Sequence, residues 1–240
     1  MDFPRVALVT GASRGVGAAV ARTLAAQGNT RIVINYHNNA TAADQLITEL
    51  TELRNQSSDG TVGNQCPWFT AIQADIASRA EMTRLVQQTV DRMGRLDVVV
   101  SNTGIDVFDV NVKSHFRLFR ACQPYLESSE GVFIATASVA GVKPSGSSLA
   151  YAVTKAALIH LVKSLAVIAG PKIRVNSVAP GVLMTDWGQG FPAEKIQAVQ
   201  EKNVLKRLAT PEDVAEHVKF LSMSRSITGM NAVIDAGFSL

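Results

Sequence analysis

The chain has 240 residues, 47% hydrophobic and 18% charged, values typical of one soluble α/β domain and not of a disordered segment. The formal net charge of +3 comes from lysines and arginines scattered along the sequence, which argues against nucleic acid as the main partner. Two cysteines exclude a disulfide scaffold and a cysteine-rich metal site.

The N-terminal residues Met1–Arg5 have neither the basic nor the apolar segment of a signal peptide, and no apolar run approaches the length of a membrane span. The four histidines are dispersed without the spacing of metal ligands. We therefore expect a cytoplasmic protein with no metal, no membrane contact and one domain over residues 1–240.

Short β-rich runs alternate with segments of helical periodicity along the chain. The predicted strands are Arg5–Thr10, Arg31–Tyr36, Phe69–Ala74, Leu96–Ser101, Gly131–Ser138, Ile173–Ala179 and Asn231–Asp235. The predicted helices are Gly15–Gly28, Ala40–Arg54, Ser78–Gly94, Val107–Leu126, Leu149–Gly170 and Pro211–Met223. Repeated strand–helix units give an α/β fold, a doubly wound parallel sheet of the Rossmann type with helices on both faces. Such folds bind ligands at the carboxyl ends of their strands, so each candidate site residue should follow a strand.

A glycine-rich loop, Thr10–Gly17, joins the first predicted strand to the first predicted helix. Gly11, Gly15 and Gly17 permit a tight turn and close approach of the backbone to a pyrophosphate, and the helix presents free N–H groups. The position of the motif predicts a dinucleotide phosphate site. The alternative is that these glycines only permit packing of the helix against the strand.

The residues after the second strand indicate which dinucleotide binds. An enzyme that prefers NAD commonly places an acid there on the ribose hydroxyls. The stretch here is Asn35-Tyr36-His37-Asn38, without a carboxylate. Arg14 in the glycine loop supplies a guanidinium suited to a 2′-phosphate, unless it is only a solvated surface side chain. Both features favour NADP(H) over NAD(H).

Polar residues also follow the third and fourth strands. Asp75 either accepts a hydrogen bond from the adenine amine or caps the helix that begins near Ser78. Asn102, within Ser101–Gly104, lies at the centre of the predicted sheet.

Tyr151 and Lys155 are four residues apart at the start of a predicted helix, so they share one helical face. A free tyrosine phenol has a pKa of about 10. A neighbouring ammonium favours the phenolate and lowers this pKa, which makes the tyrosine a better acid–base group near neutral pH. Ser138, at the end of the fifth strand, is placed to bind a substrate carbonyl oxygen. Asn111, after the fourth strand, is placed to support a water through which protons reach Lys155.

These motifs together resemble the short-chain dehydrogenase/reductase family, and the likeness covers nearly the whole chain. The resemblance assigns the catalytic roles to Ser138, Tyr151, Lys155 and Asn111. It also places Pro180-Gly181 after the sixth strand, with Val182 and Thr185 on the nicotinamide carboxamide. The predicted cofactor-binding residues are Gly11, Ser13, Arg14, Gly15, Val16, Gly17, Asn35, Tyr36, Asp75, Ile76, Asn102, Gly104, Tyr151, Lys155, Pro180, Gly181, Val182 and Thr185.

The resemblance implies hydride transfer between the nicotinamide of NADP(H) and a carbonyl or alcohol, with Tyr151 as the proton donor. Carbonyl reductases of the family act on quinones, polyketide ketones, sugars and fatty-acyl groups, and the sequence does not choose among them or fix the reaction direction. One alternative is a catalytically idle dinucleotide-binding sensor or scaffold. A methyltransferase also has a glycine-rich first loop but needs no Tyr–Lys pair and usually has an acid after the second strand.

Two departures from the family pattern concern the segment after the fourth strand. The family usually has Asn-Asn-Ala-Gly there, and this chain has Ser101-Asn102-Thr103-Gly104. The connection from Asn102 to Asn111 is also shorter than in the family. Three explanations are open. The protein has a loop that is missing from this sequence, the loop is naturally deleted and the pocket is more open, or the protein has lost activity and kept the cofactor site. We favour the first, which a mass above 25.6 kDa would support.

The resemblance also implies an assembly. The predicted helices Val107–Leu126 and Leu149–Gly170 have broad apolar faces, and these helices pair across a subunit interface in the family, so we expect a homodimer or homotetramer. Met184, Trp187 and Phe191 follow Pro180-Gly181 and form either a lid over the substrate or ordinary packing.

Overall fold

The computed structural model describes residues 4–57, 67–104, 108–185 and 192–240. Its seven strands form one parallel sheet in the order β3-β2-β1-β4-β5-β6-β7. The strands are β1 Arg5–Val9, β2 Thr30–Tyr36, β3 Phe69–Gln73, β4 Val98–Ser101, β5 Val132–Thr136, β6 Arg174–Pro180 and β7 Asn231–Ile234. The doubly wound parallel sheet expected from the sequence is confirmed.

The helices lie on both faces of this sheet. They are α1 Gly15–Ala25, α2 Ala40–Ser57, α3 Arg79–Met93, α4 Ser114–Ser129, α5 Leu149–Ala169, α6 Ala193–Lys202 and α7 Pro211–Met223. A π-helix, Asp109–Lys113, leads into α4, and a 3₁₀ turn, Val139–Gly141, follows β5. The sequence analysis did not predict α6, none of whose residues is buried.

The strand order changes direction between β1 and β4. From β1 the chain passes to β2 and β3 on one side, then returns to β4 on the other side. A crevice opens at this switch point beyond the carboxyl ends of the strands, where doubly wound folds bind dinucleotides. The glycine-rich loop follows β1, and Asn102 follows β4, so both border the crevice.

Two apolar cores cover the faces of the sheet, because alternate residues of each strand point to opposite sides. In β1, Val6 and Leu8 face the core built with α3, α4 and α5, where Phe119 meets Phe133 edge-on with ring centroids 5.5 Å apart. Ala7 and Val9 face the core built with α1, α2 and α7. Cys122 lies within the first core, where burial raises the pKa of its thiol; Cys66 lies outside the described residues.

The length and composition of α5 correct one expectation. This helix of 21 residues is long and apolar enough to cross a membrane, although no apolar run of that length was expected. The reason is that α5 is apolar on two sides. Leu158, Val162 and Leu165 pack into the core, while Leu149 and Val167 are exposed on the outer face. A helix whose inner face packs on a sheet in this way is the core helix of a layered fold.

Candidate active site

The glycine loop after β1 is shaped by backbone conformations and by a close contact that larger residues would disturb. Gly11 and Gly15 have φ values of +59° and +57°, a region that residues with a Cβ rarely adopt. A Cβ at Gly17 would lie 2.6 Å from the Gly11 carbonyl oxygen and 2.8 Å from Ala12 Cα. All three glycines named from the sequence therefore have structural requirements at this turn.

The N-terminus of α1 is suited to an anion. Arg14 occupies the position before the helix in an extended conformation, and its side chain makes no capping hydrogen bond. The first turn, which includes Val16 and Gly17, carries no acidic side chain. The first N–H groups of a helix and the positive end of its dipole favour a negative ligand. This end of α1 therefore fits the pyrophosphate of a dinucleotide, with Ser13 half-buried in the same loop.

Asn35 at the end of β2 holds the loop rather than facing solvent. Its side chain is 1% exposed. Its Oδ1 accepts a hydrogen bond from the Gly11 N–H at 3.3 Å, and its Nδ2 donates to the carbonyl oxygens of Ile72 and Ala74 at 3.3 and 3.0 Å. The side chain of the neighbouring Tyr36 is half-buried. Of this pair, Tyr36 has the more accessible side chain.

Asp75 does not cap the helix that follows it. Ser78 is the cap of α3, and its hydroxyl accepts from the Glu81 N–H, while Asp75 Oδ1 accepts from the Ala77 N–H at 2.9 Å. Asp75 therefore fixes the turn that carries Ile76 at the carboxyl end of β3. Ile76 is buried in the core, with 4% of its surface exposed.

A chain of hydrogen bonds joins the glycine loop to β5. The Asn102 amide donates to the carbonyl oxygens of Thr10 and Gly11 at 3.2 and 3.3 Å. Asn102 Oδ1 in turn accepts from the Thr136 hydroxyl at 3.2 Å. Thr136 also accepts, through its carbonyl oxygen, a hydrogen bond of 3.0 Å from Lys155 Nζ. The Asn102 side chain and Thr136 of β5 thus link the glycine loop to Lys155.

Tyr151 and Lys155 lie in the first two turns of α5. Ser148 caps the helix by accepting from the Tyr151 N–H at 3.0 Å. The Lys155 ammonium lies 5.6 Å from the centroid of the Tyr151 ring, so the two groups share a face as their spacing predicts. Burial lowers the pKa of Lys155 to about 8, and the group therefore stays mostly protonated at neutral pH. A positive charge is thus held under the phenol.

Ser138 and Tyr151 meet at one cavity of about 280 Å³. Ser138 follows β5 in an extended conformation, and its hydroxyl accepts from the Ala140 N–H at 3.2 Å while capping the 3₁₀ turn. A Cβ at Gly146 would lie 3.0 Å from Ala140 Cβ and 3.1 Å from Tyr151 Cδ1, so the loop that carries this glycine packs against the ring. Ser138 and Tyr151, the two residues that the sequence assigned to the substrate oxygen, therefore line the same cavity.

Asn111 reaches the site in spite of the short connection before it. Its side chain is fully buried in the π-helix, and its Nδ2 donates to the Thr154 hydroxyl at 2.9 Å. A Cβ at Gly104 would lie 3.1 Å from Lys155 Nζ and 3.2 Å from Asn111 Oδ1, so these two polar atoms lie beside the same glycine. π-Helical turns within helices are frequent at functional sites. The short connection therefore leaves Asn111 beside Lys155.

His115 is a buried group near the site that the sequence did not assign. Its Nδ1 lies 2.7 Å from the Ser101 hydroxyl oxygen. Burial, with a smaller effect from the Lys155 charge, lowers the pKa of His115 to about 3, so the imidazole is neutral. The Ser101–His115 pair fixes the end of β4 to α4 without adding a second positive charge near Lys155.

The segment after β6 lies against the glycine loop. The Gly181 N–H donates to the Ile234 carbonyl at 2.9 Å, which holds the turn after Pro180 to the end of β7. A Cβ at Gly15 would lie 3.4 Å from Thr185 Cγ2, so Thr185 faces the phosphate loop across the crevice. Val182 lines the cavity with Ser138 and Tyr151. Trp187 and Phe191, named as lid residues, lie outside the described residues.

The structure adds cavity residues that sequence reasoning missed. Phe238 near the C-terminus and five residues of α6 line the same cavity as Ser138, namely Lys195, Ile196, Ala198, Val199 and Lys202. The signal available in the sequence was the helical spacing of Lys195, Val199 and Lys202. No motif marks Phe238, which the Lys143 ammonium holds by a hydrogen bond of 3.1 Å to its carbonyl oxygen.

Known reductases are similar in sequence to this chain. A family model described as enoyl-(acyl carrier protein) reductase matches residues 11–239. The chain is 33% identical to a 3-oxoacyl-[acyl-carrier-protein] reductase from Synechocystis sp., over 97% of the chain and 96% of the relative. It is 32% identical to versicolorin reductase from Emericella nidulans, over 97% of the chain and 95% of the relative.

Solved structures agree with the fold. A short-chain dehydrogenase from Burkholderia cenocepacia in complex with NADP matches with a TM-score of 0.86 and 30% identity, over 98% of each chain. A 7α-hydroxysteroid dehydrogenase in complex with NADH and a 7-oxo bile acid matches with a TM-score of 0.87 and 28% identity, over 97% of this chain and 93% of that one. The alignment with the Synechocystis reductase spans 253 positions, more than the 240 residues here, so that relative has residues that this chain lacks.

Proposed function

Because the chain belongs to the short-chain dehydrogenase/reductase family, we propose that it transfers hydride between NADP(H) and a carbonyl or alcohol substrate. The observation that carries the proposal is that Ser138 and Tyr151 line one cavity, with the buried Lys155 ammonium 5.6 Å from the centroid of the Tyr151 ring. The named relatives that reduce ketoacyl groups, and the NADP complex of the Burkholderia enzyme, support the same reaction class.

The residues that would hold the cofactor border the crevice between β1 and β4. The N–H groups of α1 and the glycines before it would bind the pyrophosphate, Tyr36 and Asp75 would lie beside the adenosine, and Val182 and Thr185 would lie beside the nicotinamide. When bound, the nicotinamide supplies or accepts the hydride. Lys155 is placed to donate hydrogen bonds to the hydroxyls of the neighbouring ribose.

Ser138 and Tyr151 act on the substrate oxygen. In the reducing direction both groups donate hydrogen bonds to the carbonyl oxygen, and these bonds strengthen as negative charge develops there. Tyr151 transfers its proton to that oxygen and becomes a phenolate, which the Lys155 ammonium stabilises. In the oxidising direction the phenolate accepts the proton of the alcohol.

Asn111 and Thr154 form a hydrogen-bonded pair beside Lys155. The Asn111 amide is fixed by its donation to Thr154, so its Oδ1 faces the space beside Lys155 Nζ. A water between these groups would return a proton toward Lys155 after Tyr151 has given its own. Asn111 is therefore a positioning residue in this proposal.

Arg14 is the residue proposed to favour NADP(H) over NAD(H). It is exposed at the N-terminus of α1, in the loop where a 2′-phosphate of the adenosine ribose would lie. We expect Arg14→Ser to raise the Kd for NADPH about tenfold and to leave the Kd for NADH nearly unchanged, because a charge-assisted hydrogen bond is lost for one cofactor only. Titration of nicotinamide fluorescence with both cofactors measures the two constants.

The control for this change is Arg225→Ser. Arg225 is also exposed but follows α7, at the edge of the sheet opposite the crevice. Arg225→Ser should leave the Kd values for NADPH and NADH unchanged. Equal weakening of NADPH and NADH in Arg14→Ser would contradict the role in cofactor preference.

A panel of ketones and quinones tests the proposed reaction. Loss of NADPH absorbance with at least one member of the panel, dependent on both protein and ketone, is the expected result. The short connection between Gly104 and Asn111 is the observation that favours a second candidate, a dinucleotide-binding protein without turnover. Binding of NADPH with no oxidation by any member of a broad panel would favour that second candidate.

We also propose that the outer face of α5 pairs with a second copy of the chain. Leu149, Val153 and Val167 lie on one stripe of this helix and are 82%, 54% and 83% exposed. Phe116 on the adjacent α4 is exposed as well. The double variant Val153→Lys with Val167→Lys should sediment as a monomer in a sedimentation-velocity experiment. A wild-type protein that is already monomeric at micromolar concentration would refute this assembly.

A further inference from the structure

Phe238 supplies an aromatic surface in the cavity that the proposed chemistry does not use. The aromatic side chains among the described lining residues are Tyr151 and Phe238. Tyr151 acts on the substrate oxygen in the proposed reaction, so the Phe238 ring is left to contact the body of the substrate. A phenyl ring in an apolar wall offers a flat face or an edge on which another ring packs well.

The turn that carries Phe238 is fixed by a buried carboxylate. Asp235 is 7% exposed, and its Oδ1 and Oδ2 accept hydrogen bonds of 2.8 Å from the Gly237 and Ser239 N–H groups. Gly237 has a φ of +86°, and a Cβ there would lie 2.7 Å from Val204 Cβ. The backbone is therefore held on both sides of Phe238, which gives the ring a defined place in the wall.

Lys143 holds Phe238 through a second segment of the chain. Its Nζ donates to the Phe238 carbonyl oxygen at 3.1 Å and lies 5.2 Å from the centroid of the ring, within the range of a cation–π contact. Lys143 lies between the 3₁₀ turn and α5, in the segment that also carries Gly146. A Cβ at Gly146 would lie 3.1 Å from Tyr151 Cδ1, so this segment contacts the phenol ring as well. It thus connects the two aromatic residues of the cavity and limits how far apart they can move.

The size of the cavity limits the body of the substrate. The cavity volume is about 280 Å³. An apolar protein cavity of about 150 Å³ holds one benzene molecule, so two separate rings would need about 300 Å³ before the carbonyl group is added. Lys195 and Lys202 also line the cavity but are exposed, so their ammonium groups reach water while their carbon chains extend the apolar wall. The cavity therefore suits one ring together with its carbonyl group.

From these contacts we infer that Phe238 is a specificity-determining residue, which selects a ketone whose carbonyl carbon is attached to a single apolar ring. The substrate ring packs on Phe238 while the carbonyl oxygen lies at Ser138 and Tyr151. The inference rests on the proposed function and names the substrate class of the same site.

A pair of ketones tests the inference with the intact protein and NADPH. Acetophenone has one ring, and para-acetylbiphenyl has a second ring at the far end of the first. We expect kcat/KM of the wild type to be about tenfold or more higher for acetophenone, because Phe238 occupies the space that the second ring needs. In Phe238→Ala, kcat/KM for acetophenone should fall about fivefold through loss of the ring contact, and kcat/KM for para-acetylbiphenyl should rise about fivefold.

Two further variants keep the test decisive if Phe238→Ala does not fold. Phe238→Leu retains an apolar side chain of similar length and should retain the preference for acetophenone. Lys143→Gln removes one of the contacts that hold the ring and should lower the ratio of the two kcat/KM values about threefold, without loss of folding.

The matched control is Phe220→Ala. Phe220 is 56% exposed on α7 and is not among the residues of the cavity, so its loss should leave the ratio of the two kcat/KM values unchanged. A folded Phe238→Ala protein that loses activity equally on both ketones, or a wild type that reduces both equally well, would overturn the inference alone. So would a wild type that reduces other ketones of the panel and neither of these two. Absence of turnover for the whole panel and for both test ketones would overturn the proposed function and the inference with it.

Discussion

Tyr151→Phe should lower kcat about a thousandfold and leave the Kd for NADPH within about twofold, because it removes the proton-donating hydroxyl and keeps the rest of the side chain and every other predicted cofactor-binding residue. The aromatic ring stays in place against the Gly146 loop, and the Lys155 ammonium keeps its hydrogen bond to Thr136. Steady-state reduction of the best ketone of the panel, combined with a fluorescence titration of NADPH, separates the two effects.

Tyr125→Phe is the matched control. Tyr125 lies on α4, and its phenol donates to Gln87 at the surface with an O···O distance of 3.0 Å. Removal of the Tyr125 hydroxyl should leave kcat unchanged. A Tyr151→Phe variant that keeps a tenth or more of the wild-type kcat would show that another group protonates the substrate oxygen.

Gly17→Ala is expected to have the largest effect on cofactor binding, a rise of more than about tenfold in the Kd for NADPH. The added Cβ would lie 2.6 Å from a backbone oxygen and 2.8 Å from a backbone carbon of the loop. Because these are main-chain atoms, the loop itself must shift, and overpacking of this kind costs roughly 1–3 kcal/mol of stability. A lower Tm, by about 5 °C, should accompany the weaker binding.

The control for this change is Gly170→Ala, after α5. A Cβ there would come no closer than 3.5 Å to the Ala166 carbonyl oxygen, an ordinary contact. Circular dichroism before each titration shows whether the Gly17 variant is folded. A folded Gly17→Ala protein that binds NADPH as tightly as the wild type would contradict the placement of the pyrophosphate at this loop.

The fold was predictable because each strand and its following helix carry a local pattern. Val98, Val99 and Val100 are apolar on both faces of β4, and Gly94 ends α3 with a φ of +81°, as the sequence indicates. Tyr151 and Lys155 were predictable for the same reason, since four residues of helix bring them to one face. In these cases the information is contained in a few neighbouring residues.

Contacts between distant segments were not predictable in this way. Thr136 and Asn102 are 34 residues apart, and only the pairing of β4 with β5 brings the hydroxyl to the amide. The loop-holding role of Asn35 depends on Gly11 in the loop after β1 and on Ile72 and Ala74 at the end of β3, which are two other segments of the chain. The wall of the cavity formed by α6 was missed because no helix was predicted there, and none of the residues of that helix is buried.

Transfer of deuterium from NADPH labelled at C4 of the nicotinamide tests the central claim most directly. The protein is incubated with each C4 diastereomer of the labelled cofactor and an active ketone, and the alcohol is analysed by mass spectrometry. The account predicts deuterium on the carbinol carbon from one diastereomer only, with transfer about a thousandfold slower in Tyr151→Phe. Alcohol formed without deuterium from either diastereomer, or labelled cofactor that binds and is never oxidised by any ketone, would contradict hydride transfer at this site.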